Sequence, residues 1–185
     1  MKNLLFDIEN CNCDINVKTA LKFAPYAFIR PYPLVSMEWS EIDFNIKEWH
    51  IPAYKMKKKK EHIIPLTNSM INILNEIKPF TGNQQFVFHS RRSKLQHITT
   101  DALNRALKRL GYNGKMTTHG FRHFAATILN EYASKIGVTQ KIIAIQLSHN
   151  SYKDTMNRVY NKAKYLEERK KLMEWWSDFI DNLKS

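Results

Sequence analysis

The chain has 185 residues and a net charge of +12, with a sequence pI near 9.7; 43% of its residues are hydrophobic and 12% aromatic. That length suits one domain, and that apolar content excludes wholesale disorder. No apolar run approaches 18 residues and Met1-Lys2-Asn3 opens no signal-peptide pattern, so the expectation is a cytoplasmic protein with no membrane span.

Excess Lys and Arg points to a polyanionic partner, and the choice lies between nucleic acid and an anionic membrane. A membrane-surface protein concentrates its charge on one amphipathic helix. Here the densest run is Tyr54-Lys55-Met56-Lys57-Lys58-Lys59-Lys60, followed at once by Glu61-His62-Ile63-Ile64-Pro65. That is a hairpin context, and phosphate neutralisation is the favoured use of the surface. Cys11 and Cys13 form a lone C-x-C. Two thiols cannot fill four zinc positions, and residues this close seldom bond each other, so they read as reduced thiols.

Along the chain, the first fifteen or so residues carry a weak pattern. Val17, Ala20, Leu21 and Ala24 have helical spacing, disturbed near the end by Pro25, and Ala27-Phe28-Ile29 then leads to Arg30. Ile42, Phe44 and Ile46 alternate with polar residues. With Trp49-His50-Ile51 and His62-Ile63-Ile64 they predict a small antiparallel sheet of three short strands. Ile71, Leu74 and Ile77 predict a helix capped by Thr67 or Asn68 and ended by Pro79. Phe86-Val87-Phe88 is a short apolar piece of undecided type. A helix follows on Ala102, Leu103, Ala106, Leu107 and Leu110, between Thr99/Thr100 and Gly111, and another on Phe121, Phe124, Ala125, Ile128, Leu129 and Tyr132. Val138, Ile142, Ile145 and Leu147 make the next, ending near Ser148-His149. Leu166, Arg169, Leu172, Met173, Trp176, Phe179, Ile180 and Leu183 form a long stripe to the end. The fold class is mainly α (α+β), with no repeat and no linker.

Several catalytic signatures are missing: no Gly-rich phosphate loop, no G-x-S-x-G, no H-E-x-x-H, and no acidic cluster able to hold two metal ions. What remains is scattered: Arg30, the lysine turn, His119-Gly120-Phe121-Arg122, Leu147-Ser148-His149 and Tyr160, with Tyr152 and Tyr165 as competing tyrosines. Each is weak alone, since H-x-x-R pairs are common and helix tyrosines usually pack. Their order is not weak.

Arg, Lys, His-x-x-Arg, His, Tyr resembles the catalytic set of the tyrosine recombinases, the phage-type integrases. Arg30-Pro31, Leu34 and Glu38-Trp39-Ser40-Glu41-Ile42-Asp43 are similar to the family's first-arginine segment. Ile51-Pro52-Ala53, Met56-Lys57 and His62-Ile63-Ile64-Pro65-Leu66 are similar to its β-hairpin, and Thr118-His119-Gly120-Phe121-Arg122 to its central box. Gln146-Leu147-Ser148-His149, Tyr160-Asn161-Lys162-Ala163, Tyr165-Leu166-Glu167-Glu168-Arg169 and Trp175-Trp176 resemble the prophage and genomic-island subgroup. The likeness runs from about Leu4 to Leu183.

This resemblance implies a helical catalytic domain of the DNA breaking-rejoining type that recombines DNA through a 3′-phosphotyrosyl intermediate, with neither cofactor nor metal. It implies Arg30 and Arg122 as phosphate clamps, Lys57 (then Lys55) as the proton donor, His119 as base or phosphate partner, His149 as a further donor and Tyr160 as nucleophile. The implied partner is double-stranded attachment-site DNA, with a homotetramer on DNA and a monomer off it as the expected states. Residues 1–185 read as a single catalytic domain, with the usual arm-binding and core-binding domains absent before Arg30. Two features depart from the family: Pro33 stands where many members carry an acid three positions after the first arginine, and His149 and Tyr160 are eleven positions apart, slightly more than usual. Competing readings are a catalytically silent DNA-binding module and a type IB topoisomerase.

Overall fold

The computed structural model describes residues 1–148 and 165–184. Its helices are α1 (Lys2–Glu9), α2 (Ile15–Ala27), α3 (Pro31–Val35), α4 (Asn68–Thr81), α5 (Thr100–Leu107), α6 (Gly120–Glu131), α7 (Ala133–Ile136), α8 (Gln140–Gln146) and α9 (Leu166–Lys184). Strands β1 (Ile42–Asp43), β2 (Glu48–Ile51) and β3 (His62–Pro65) pair antiparallel in chain order, with Trp49 opposite Ile42 on one side and Ile64 on the other. The mainly α class with a small three-stranded sheet is the architecture observed.

Helix starts follow side-chain caps. Asp14 accepts from the amides of Asn16 and Val17, Thr67 from Met70, Thr99 from Ala102 and Thr139 from Ile142, each satisfying amides that the first turn leaves unpaired. α2 is the central element. It packs on α4, α9, α5 and α6, while Phe23 meets Trp49 edge-on at 6.2 Å and approaches Phe88 at 6.4 Å, which seats the sheet on the helices.

Four details differ from the sequence reading. α1 is a helix with Leu4, Leu5 and Ile8 buried; it is too short to hold itself and forms by packing on α2 and α9, with the Tyr112 hydroxyl donating to Asp7 at 2.6 Å. Pro79 does not end α4, because a proline removes one donor and the helix runs two residues further, to Thr81. β1 stops at Asp43, whose Oδ1 accepts from the amides of Asn45 and Ile46 at 2.9 and 3.2 Å; this side-chain turn replaces the ladder that the alternation of Phe44 and Ile46 implied. Cys11 and Cys13 are joined as a disulfide rather than standing as thiols.

The C-terminal stripe packs within its own chain. α9 lies against α1, α2, α8 and β3; Trp176 is fully buried and its indole donates to the Pro25 carbonyl at 2.8 Å. Among the described residues no helix is long and apolar enough to cross a membrane.

Candidate active site

Arg30 is delivered by the end of α2. Pro25 lies in the last turn, and Phe28 then takes a left-handed conformation (φ 34°, ψ 36°), its amide donating to Ala24 at 3.0 Å. That conformation costs a non-glycine residue on the order of 1–2 kcal/mol. Burial of the Phe28 ring edge-on to Trp176, 5.7 Å away, holds it there. The turned chain places Arg30 at the head of α3, with Pro31 in the first helical position. Arg30 is half-buried, and among the described residues its side chain has no hydrogen-bonding or ion-pair partner.

The central box opens α6. The Thr118 amide and hydroxyl both donate to Asn104 Oδ1 at 2.9 Å, anchoring the box to α5. His119 precedes the helix and Arg122 lies in its first turn, so the two share a side. Arg122 is buried; its Nη1 donates to the Phe28 carbonyl at 3.2 Å and its Nη2 to the Leu147 carbonyl. Two of the five guanidinium protons tie together the ends of α2 and α8, which leaves others for a ligand. Burial, then the charge of Arg30, pulls Arg122 down to about 10, so it stays cationic at neutral pH.

His119 is held below its ordinary 6.5 by burial and by its neighbours His123, Arg122 and Arg30; its ring meets that of His123 edge-on at 4.6 Å. A neutral imidazole at pH 7 can accept a proton. Arg30, Arg122 and His119 therefore stand within electrostatic reach of one another. Among the described residues no carboxylate pairs with either guanidinium. Pro33 supplies none, and the next acids, Glu38 and Glu41, are bound to Lys55. Paired guanidiniums without an acid form a site suited to an anion.

Lys57 is exposed on the β2–β3 connection, in a turn closed by the Lys59 amide donating to the Met56 carbonyl at 2.9 Å. Lys55, the second lysine candidate, is buried and ion-paired. His149 and Tyr160 lie outside the described residues. Among the described residues no group of three or more His, Cys, Asp or Glu side chains is placed to hold a metal.

Sequence reasoning missed a buried polar junction beside the trio. His62 Nε2 bonds the Gln146 carbonyl at 3.0 Å, while Arg169 donates through Nε to Gln146 Oε1 at 2.8 Å and through Nη2 to the Ile63 carbonyl. β3, the end of α8 and α9 are thereby locked together next to Leu147. The available signal was Arg169 itself, a charge inside the apolar stripe of α9. Burial, with the charges of Arg169, Arg122 and Arg30, holds His62 well below 6.5. The unfolded chain then binds a proton that the folded one refuses, so stability falls as pH drops below about 6.5. Urea midpoints between pH 8 and pH 5.5 should fall less for His62→Gln, which keeps an N–H donor, than for the wild type; equal falls would remove His62 as the cause.

The phage integrase family profile matches residues 1–167. Prophage integrase IntA of Escherichia coli (strain K12) is 33% identical over 180 residues, covering 97% of this chain and 42% of that protein. The chain thus spans about two fifths of the length of the curated relatives it matches. Among solved structures, the integrase from mycobacterium phage Brujita aligns with a TM-score of 0.66 at 14% identity, over 92% of this chain and 56% of that one. The Tn1549 transposon integrase, solved in complex with circular intermediate DNA, aligns with a TM-score of 0.60 at 14% identity, over 89% of this chain and 61% of that one. Those likenesses concern the fold; the family match spans most of the chain, from α1 through the box that holds His119 and Arg122, and the chain belongs to the phage integrase family.

Proposed function

We propose that the chain is the catalytic domain of a site-specific tyrosine recombinase that integrates or excises a prophage or genomic island. The Tyr160 oxygen attacks the scissile phosphorus, the bond to the 5′-oxygen breaks, and a 3′-phosphotyrosyl link forms. His119 accepts the phenolic proton, and Lys57 protonates the departing 5′-oxygen. A 5′-hydroxyl of the second strand then attacks the same phosphorus and restores the tyrosine. The phosphodiester bond energy is kept in the intermediate, so the exchange needs neither a nucleotide nor a metal.

The observation that carries this reading is the Arg30–Arg122 pair beside neutral His119, with no acid among the described residues to neutralise it. Charge builds on the non-bridging oxygens in the transition state, and two planar forks meet it there. His149 adds a further donor to the phosphate. The net charge of +12 suits a double-helical DNA partner. On DNA the working unit is a homotetramer, off DNA the domain is a monomer, and the setting is the cytoplasm.

The test is a nicked attachment-site duplex incubated with the protein in excess EDTA and resolved on a denaturing gel. The expected result is a covalent protein–DNA adduct. Salt-sensitive binding with no adduct under any condition would favour a silent DNA-binding module. Relaxation of a plasmid lacking any attachment site would favour a type IB topoisomerase.

A further inference from the structure

We infer that Lys55 is a positioning residue: its buried ion cluster with Glu38 and Glu41 fixes the base of the lysine turn and so sets where the Lys57 ammonium stands. This rests on the reading of Lys57 as the proton donor. Lys55 Nζ has three protons and meets three acceptors: the Ser36 carbonyl at 2.5 Å, Glu38 Oε1 at 2.7 Å and Glu41 Oε1. Both carboxylates are held in turn. Glu41 Oε2 accepts from the Trp49 indole of β2 at 3.0 Å, and Glu38 Oε2 accepts from Gln85 at 3.0 Å.

Lys55 ends a single tight turn, Ala53–Lys55, and the next side chain, Met56, is buried. Beyond these two fixed points Lys57, Lys58, Lys59 and Lys60 are all exposed. Two residues of chain span at most about 7 Å, so the Lys55 anchor limits where the Lys57 backbone can stand. Burial alone lowers the Lys55 ammonium, but its bonds to Glu38 and Glu41 outweigh this and hold it above its ordinary 10.5. A buried ammonium held by three acceptors is a poor acid, so Lys55 is not itself the donor. Buried ion pairs add little net stability because desolvation offsets attraction, so the role inferred for this one is to fix the geometry of the turn.

The experiment uses the nicked attachment-site duplex made twice, with oxygen or with sulfur at the bridging 5′ position of the scissile phosphate. A thiolate departs without a proton, so sulfur bypasses a missing acid. Lys57→Ala should slow cleavage of the oxygen substrate by about a hundredfold or more and the sulfur substrate little. Lys55→Met should repeat that pattern, at least about tenfold slower on oxygen and close to wild type on sulfur, with Lys55→Arg recovering most of the oxygen rate. If Lys55→Met slows both substrates equally, or neither, the inference is overturned. If sulfur fails to rescue Lys57→Ala, the donor assignment falls and the inference with it. Should Lys55→Met fail to fold, with two carboxylates buried without their cation, the triple variant Lys55→Met, Glu38→Gln, Glu41→Gln removes the imbalance and is read by the same comparison.

Discussion

Arg122→Lys lowers the rate of covalent adduct formation by about a hundredfold to a thousandfold, while duplex affinity at fixed salt stays within about threefold. Arg122 is buried, already bridges the carbonyls of Phe28 and Leu147, and keeps donors for an anion. Lysine keeps the charge, but a single ammonium cannot hold two carbonyls and also present a planar fork. In the proposed reaction the contact Arg122 makes strengthens as charge develops on phosphorus, so its loss weighs on the rate and hardly on binding. Single-turnover adduct formation beside fluorescence anisotropy separates the two. A parallel fall in rate and affinity would mean that Arg122 serves ground-state binding alone.

Tyr160→Phe abolishes the adduct and leaves salt-sensitive DNA binding in place. The prediction is absolute because in the proposed reaction the phenolic oxygen is the atom that forms the bond; a phenol of reference pKa near 10 is only about a thousandth ionised at pH 7, which is why the proposal gives it a base in His119. Two other tyrosines flank it in sequence. The Tyr165 hydroxyl accepts from the Lys141 ammonium at 3.0 Å, and that cation lies 4.9 Å from the Tyr165 ring centroid. Tyr165→Phe and Tyr152→Phe should therefore retain adduct formation within about threefold of wild type. An adduct that survives in Tyr160→Phe and disappears in either of the others would move the nucleophile.

What the sequence made legible was what local rules control. The stripes of α2, α4, α5, α6, α8 and α9 were readable because apolar residues recur at helical spacing, in α4 and α5 after a capping Thr. The order of Arg30, Lys57, His119, Arg122, His149 and Tyr160 was readable as a resemblance because motif order survives when spacing drifts. The features that escaped depend on groups distant in the chain. α1 needs α2 and α9 to exist; β1 is cut short by an Asx turn that competes with its own alternation; and the Lys55–Glu38–Glu41 cluster hides within a run that looks like solvated lysines. His62, Gln146 and Arg169 lie 84 and 23 positions apart along the chain, so no local pattern announces their junction. Pro33 removed the expected acid from the neighbourhood of Arg30, and Glu38 and Glu41 are engaged with Lys55 instead.

Peptide mapping of the trapped adduct tests the central chemistry most directly. After nuclease trimming and proteolysis, mass spectrometry should place the residual 3′-nucleotide on the Tyr160 phenolic oxygen and nowhere else. A nucleotide on another side chain, or a 5′-linked one, would contradict the account.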